Sequence, residues 1–370
     1  MLIYIGVMIA GQRHWNMNRE RQALLQPVGY AAAEQAVPGG GSSPSSGSAA
    51  ASAPSGKPDK LVEATDPAWL YTNGSWSQAS ESGWGEVKKA ARIGRKAQLM
   101  TNSPSAVLKQ RAIGGTLTVT VDKQPVVRQT LPADGSALDI PLYKGAAGWH
   151  TIEIAFSHAA EIDGLWIENG SELKQPASPA AKKLVVLGHS YVEGGNATDW
   201  GAKSFTALLG GLLGVETVNQ GVAGTDVAVN SGKDALDSGL NRYRADVVAE
   251  KPDYVLLVYG LNAIPSDPRK MQADYTSLLT ALRKELPAVP IFVSGIVSTP
   301  SYSDKQLQPY NASIQNAVKA TSQAVFIDLA GAWTAANYAQ YVSSDQVLPT
   351  DAGHQFLADK YAAAIKPYLK

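Results

Sequence analysis

The strongest constraint on the fold is a change in the rhythm of apolar residues near Pro179. Before it, apolar and polar residues alternate. Leu117, Val119 and Val121 interleave with Thr116, Thr118 and Thr120, and Ile152, Ile154 and Phe156 with Thr151, Glu153 and Ser157. Successive side chains of a strand point to opposite faces, so this period of two marks strands with one buried face. Asp122-Lys123-Gln124-Pro125 and Ala133-Asp134-Gly135-Ser136 read as turns between them. Strands at this spacing, without long helical stretches, predict a small antiparallel, jelly-roll-like β-sandwich over 64–178. After Pro179, apolar runs at 184–187, 254–258, 291–297 and 325–327 lose the alternation. Helical patterns near 203–213, 241–250, 270–286 and 305–321 separate them. Strands apolar on both faces and divided by helices predict an α/β domain over 179–370, its parallel sheet covered on both sides. In a last helix over 352–369, Leu357, Tyr361, Ala364, Ile365 and Tyr368 form one apolar stripe.

The amino-terminal end reads differently. Residues 1–15 begin with ten residues that are apolar apart from Tyr4. A membrane span needs about 20, and a signal peptide carries a basic segment ahead of its apolar stretch. The segment is therefore read as the tail of a truncated export or anchor sequence, the alternative being a buried helix end. Residues 16–63 are read as a tether, which between 37 and 57 is almost wholly Pro, Gly, Ser and Ala. Such a composition cannot bury enough apolar surface to offset chain entropy. An apolar end followed by a tether implies attachment to a membrane or cell wall, and an extracellular or cell-surface location.

Composition removes several function classes. The 370 residues carry 32 Lys+Arg against 32 Asp+Glu, so there is no net charge to attract nucleic acid. With no cysteine there is no thiol nucleophile, disulfide or Cys-ligated metal.

In a parallel α/β sheet, functional groups collect beyond the carboxyl ends of the strands. The first such loop is Gly188-His189-Ser190-Tyr191, where a serine directly after a strand suits a nucleophile whose own amide helps hold an oxyanion. Taken alone, such a serine is more often a turn or cap residue. The next loop, Asn219-Gln220-Gly221-Val222-Ala223-Gly224, offers glycines that let backbone approach a ligand, or that simply turn the chain. The third, Tyr259-Gly260-Leu261-Asn262, ends in an amide that can donate to an oxyanion or cap a turn. Asp351 and His354, three apart at the start of the last helix, can reach the sheet edge together. The carboxylate would orient the imidazole that deprotonates the serine, or the pair would be an N-cap and a surface residue.

Four signals in this order resemble an SGNH (GDSL-type) hydrolase over about 182–370, with the four family positions at Ser190, Gly224, Asn262 and His354. The resemblance implies a three-layer, flavodoxin-like α/β/α domain that acts on acyl esters without metal or cofactor. It implies Ser190 as nucleophile, His354 as general base and Asp351 as third member. The oxyanion hole would be the backbone N–H groups of Ser190 and Gly224 with the Asn262 side chain, Gly221 being the alternative to Gly224. His189, Tyr191 and Gly221 would line the substrate pocket. Two positions depart from the family pattern: His189 stands where the first block usually has Asp, and Ala263 where the third usually has a loop-bracing Asp.

The sandwich resembles, more loosely, the domain that precedes the catalytic domain in some exported esterases of this family. Trp76, Trp84 and Trp166 could offer sugar-stacking faces, although Trp in a small sandwich is usually core. The leading expectation is a serine esterase that removes a short acyl group, acetyl above all, from a small-molecule or carbohydrate ester. An O-acyltransferase using the same acyl-enzyme, and a catalytically weak glycan-binding protein, are the alternatives.

Overall fold

The computed structural model describes residues 58–81, 84–177, 182–264 and 266–369. The apolar segment 1–15 and the tether up to 57 lie outside the described residues. Gly56–Lys370 form one compact unit.

Twelve strands come first: β1 (Lys60–Glu63), β2 (Leu70–Thr72), β3 (Ser77–Glu81), β4 (Gly85–Ala90), β5 (Lys96–Thr101), β6 (Ser105–Arg111), β7 (Thr116–Val121), β8 (Gln124–Thr130), β9 (Ala137–Lys144), β10 (His150–Phe156), β11 (Ala160–Ile167) and β12 (Leu173–Lys174). They make two antiparallel sheets, β3-β4-β11-β6-β9 with β1 on β11, and β12-β5-β10-β7-β8 with β2 on β5. The alternating residues of β7 and β10 do what their rhythm requires: Leu117, Val119, Ile152 and Ile154 are fully buried. They share one core with Leu108, Ile162 and Leu165 of the other sheet. Asp122 and Lys123, both at positive φ, make the β7–β8 turn, while Gln124 and Pro125 already belong to β8. The tether ends earlier than its composition implies. Lys60–Glu63 pair with β11, because Val62 is an apolar residue the core can bury.

Each of the three tryptophans is engaged by neighbours within the sandwich. Trp76 packs on Tyr71 and Phe156 at ring distances of 4.8 and 6.1 Å. The Arg111 guanidinium lies 4.1 Å from the Trp84 centroid. The Trp166 indole N–H donates to Asp139.

The second half holds a parallel sheet of β13 (Lys183–Gly188), β14 (Glu216–Gly221), β15 (Tyr254–Val258), β16 (Ile291–Ser294) and β17 (Ala324–Ile327), in the order β14-β13-β15-β16-β17. Its helices are α1 (Ser190–Glu193), α2 (Trp200–Lys203), α3 (Phe205–Leu213), α4 (Gly239–Asp246), α5 (Pro268–Glu285), α6 (Asp304–Lys319), α7 (Tyr338–Tyr341) and α8 (Asp351–Ile365). α1, α2, α3 and α8 pack among themselves, and α4, α5 and α6 form a second set. The strands are buried throughout β13, β15 and β16 apart from Lys183, which is why their sequences read as unbroken apolar runs. β14 is the strand that the apolar pattern does not announce. Its Asn219 is buried because Nδ2 donates to the Val192 carbonyl and Thr206 Oγ1, at 2.6 and 2.9 Å. Residues 219–221 are therefore strand rather than loop.

Candidate active site

The site is built where β13 stops. A side chain at Gly188 would meet the Val258 carbonyl oxygen at 2.4 Å, so only glycine lets β13 and β15 run this close at their ends. His189 is extended and caps α1: its Nδ1 accepts the Tyr191 N–H at 3.3 Å. It thereby does the capping work of a short polar side chain. Burial pushes the imidazole down to about 3, so it is neutral, with the capping bond placing its proton on Nε2. Ser190 follows as the first residue of α1, partly exposed. Its Oγ lies 3.4 Å from His189 Nδ1. Its backbone N–H has no partner among the described residues, as is usual for a first-turn donor. Gly194, in the left-handed region at φ 100, ends the helix. His189 and Tyr191 are each 3% exposed, and Tyr191 donates its hydroxyl proton to the Val347 carbonyl. They line a small cavity with Tyr259 and Tyr361.

Parallel pairing sets Gly188 beside Gly221 of β14 and Val258 of β15, which brings the three following loops together. Gly221 is closed to substrate. Its N–H donates to Asn219 Oδ1 at 2.9 Å, and a Cβ there would lie 2.1 Å from the Glu193 nitrogen. Gly224 is exposed, at φ 80, and its N–H has no partner among the described residues. Asn262 Nδ2 donates to the Thr225 carbonyl at 2.9 Å, which leaves its second amide hydrogen available.

Asp226 is the tie between these loops that the sequence does not advertise. Its carboxylate accepts N–H bonds from Val227, Gly260, Asn262 and Ala263 at 2.8 to 3.1 Å. It supplies from β14's loop the brace that Ala263 cannot supply from its own. Burial pushes this carboxyl up to about 6, against the pull of the four N–H donors. The only cue in the sequence is an Asp two residues after Gly224.

Asp351 and His354 are not joined to Ser190. His354 is fully buried, with Nε2 3.0 Å from the Gly195 carbonyl and Nδ1 accepting the Phe205 N–H at 3.3 Å. Both ring nitrogens are spent on backbone. Burial pushes this imidazole down to about 4. Asp351 instead accepts from Thr198 N and Oγ1, at 2.8 and 2.6 Å, and from Lys203 Nζ at 2.7 Å. Burial would raise its pKa, but Lys203 and Thr198 hold it below the usual carboxylate value. The spacing of Asp351 and His354 misleads for a geometric reason. Thr350 is the N-cap, so Asp351 points out over Thr198 and the end of α2 while His354 sinks between α3 and the Ser190 turn. From the same segment, the Leu348 side chain faces Gly195, where it meets the turn with carbon only. His354 still touches the site indirectly, since the Gly195 N–H donates to the Ser190 carbonyl at 2.8 Å.

Residues 186–356 match the model of the GDSL-like lipase/acylhydrolase family. An acetylxylan esterase from Geobacillus stearothermophilus is 25% identical over 219 residues, covering 50% of this chain and 94% of that protein. Among solved structures, a family two carbohydrate esterase from Clostridium thermocellum, in complex with cellohexaose, aligns with a TM-score of 0.65 at 17% identity, over 81% of this chain and 98% of that one. A salicylyl-acyltransferase from a tetracycline biosynthetic pathway aligns with 0.63 at 17%, over 83% and 97%. The two structural likenesses speak for the fold alone. Over residues 186–356, then, this chain is similar to the GDSL-like lipases and acylhydrolases, and the acetylxylan esterase relative lies within the same likeness.

Proposed function

We propose that this chain is a serine esterase that removes short acyl groups, acetyl above all, from carbohydrates. The observation that carries the reading is Ser190 at the start of α1, its own N–H unused, with the unused N–H of Gly224 and the Asn262 amide on the loops after the two strands that pair with β13. Donors fixed before the reaction stabilise the oxyanion of a tetrahedral intermediate without reorganisation. Ser190 Oγ attacks the acyl carbon and the alcohol leaves; water then releases the acid from the acyl-enzyme. The imidazole nitrogen facing Oγ belongs to His189, and we assign it the serine proton, which it can take only by giving up its capping bond from the Tyr191 N–H. His354 acts as a positioning residue, holding the Gly195 turn. A base with a pKa near 3 is weak. The reading therefore expects slow turnover that quickens on esters with good leaving groups. Carbohydrate and acetyl as substrate are carried over from the acetylxylan esterase relative.

A second reading, a catalytically weak glycan-binding protein, is favoured by one observation: the imidazole of His354 is fully engaged by backbone. The test is hydrolysis of p-nitrophenyl acetate and longer homologues by wild type and Ser190→Ala. Turnover that falls with chain length and vanishes in the variant supports the esterase, and equal inertness of the two proteins supports the binder. Transfer of acetyl to an added sugar, in place of free acetate, identifies an acyltransferase.

We read the second half as a three-layer, flavodoxin-like α/β/α domain and the first as a jelly-roll-like sandwich. An extracellular or surface location, with tethering, rests on the composition of residues 1–57.

A further inference from the structure

Arg242, on α4, is 6% exposed, and every one of its five N–H groups has a target. Nε donates to the Asp237 carbonyl at 2.8 Å. Nη1 donates to the Gln220 carbonyl at 2.8 Å and to Asp246 Oδ2 at 2.6 Å. Nη2 donates to the Gly188 carbonyl at 3.0 Å and to the Tyr259 hydroxyl at 2.8 Å. Gln220, Gly188 and Tyr259 stand at the carboxyl ends of β14, β13 and β15, the three strands whose loops hold Gly224, Ser190 and Asn262. One planar cation thus ties these ends together, and the Gly188 carbonyl it grips precedes Ser190 by two residues. A guanidinium suits the task because its donors form a rigid fork.

The acid beside Arg242 is shared. Asp246 Oδ2 also meets Arg92 Nη2 at 3.3 Å, and Arg92 belongs to the sandwich, just after β4. The sandwich is seated on this flank by further polar contacts. Asn73 N–H donates to Glu216 at 2.7 Å, Ser75 N–H to Glu250 at 2.9 Å, and the buried Arg95 to the Asn219 carbonyl at 3.4 Å. A relay of charge therefore runs from Arg92 through Asp246 and Arg242 to the Gly188 carbonyl.

We propose that Arg242 is a positioning residue for the Ser190 turn, and that the sandwich sets it through Arg92 and Asp246. The sandwich is then part of the catalytic scaffold as well as a neighbouring domain. The kinetic side of this proposal rests on Ser190 being the reacting residue; the structural side does not.

Both sides can be measured on the full chain with Asp246→Asn, Arg92→Ala and Arg92→Lys. Amide hydrogen exchange is followed in peptides covering 186–195. Asp246→Asn leaves Arg242 without its anion, and exchange there should quicken about tenfold, against about threefold in Arg92→Ala, whose pair is half-exposed and weaker. Lysine supplies the single donor that Arg92 uses, so Arg92→Lys should exchange like wild type. Peptides from β7 and β10 should be unaffected. With p-nitrophenyl acetate, kcat should fall in Asp246→Asn while KM holds. Unchanged exchange at 186–195 in Asp246→Asn would overturn the proposal, as would faster exchange spread over the whole chain, which marks plain destabilisation. A wild type inert toward the ester would sink the esterase reading while the exchange result still decides this one.

Discussion

His354 shows how far a residue's chemistry depends on what its atoms face. An imidazole serves as a base only with a nitrogen within reach of the proton it takes. Here one nitrogen holds the Gly195 carbonyl and the other the Phe205 N–H. Removing the ring leaves two buried backbone groups unpaired, at about 1–3 kcal/mol each. His354→Ala should therefore lower stability by about 2–5 kcal/mol. The folded variant should keep kcat within about tenfold of wild type, whereas His189→Asn, which removes the nitrogen facing Ser190 Oγ, should lose about 10²-fold. Urea unfolding and p-nitrophenyl acetate kinetics on the two variants check this. The opposite ranking of rates would restore His354 as the base. The place of Ser190, Gly224 and Asn262, each beyond a strand end, was legible in the sequence. The partners of Asp351 and His354 were not legible, since they depend on which side of the first helical turn each residue takes.

At the scale of elements, the site is two loops knitted by Asp226. The carboxylate gathers N–H groups from Gly260, Asn262 and Ala263, so the Asn262 amide is fixed relative to Gly224. An amide at 226 keeps one acceptor oxygen and turns an NH2 toward these donors. Asp226→Asn should cost about 10²-fold in kcat with KM little changed, measured with the same ester. The pH dependence has a definite sign. With the carboxyl at about 6 in the folded chain, protonation below that value removes acceptor capacity. Activity should decline as pH falls through about 6, and the Asn variant should lose this inflection. A wild-type rate that stays flat from pH 7 to about 5 would count against the brace. β14 escaped the apolar pattern because it buries polar residues: Asn219 and Gln220 are held inside by Thr206 and Glu250 rather than by hydrophobicity. β7 and β10 were legible because one face of each meets the core, whereas Lys60–Glu63 was hidden by the Pro/Gly/Ser-rich stretch before it.

Over the whole molecule, two buried histidines tie stability to pH. His354 and His189 are pushed down to about 4 and about 3, while an unfolded histidine titrates near 6.5. Each contributes stability that is complete above about 6.5 and lost as pH falls toward the folded value. Asp226 acts in the opposite sense, since its raised pKa makes ionisation a cost that disappears as pH drops below about 6. His158 adds to the histidines' sense, and Asp163 and Glu193 to that of Asp226, so the histidine contribution is isolated by the variant: between pH 7 and about 4.5 the midpoint of thermal unfolding should change less unfavourably in His354→Ala than in wild type. The central claim is that Ser190, held at the junction of three strand ends, carries the acyl group. Mass spectrometry of the chain quenched during p-nitrophenyl acetate turnover tests it most directly. The account predicts a single acetyl adduct on the peptide containing Ser190, absent in Ser190→Ala; turnover at equal rates in both proteins, without that adduct, would contradict it.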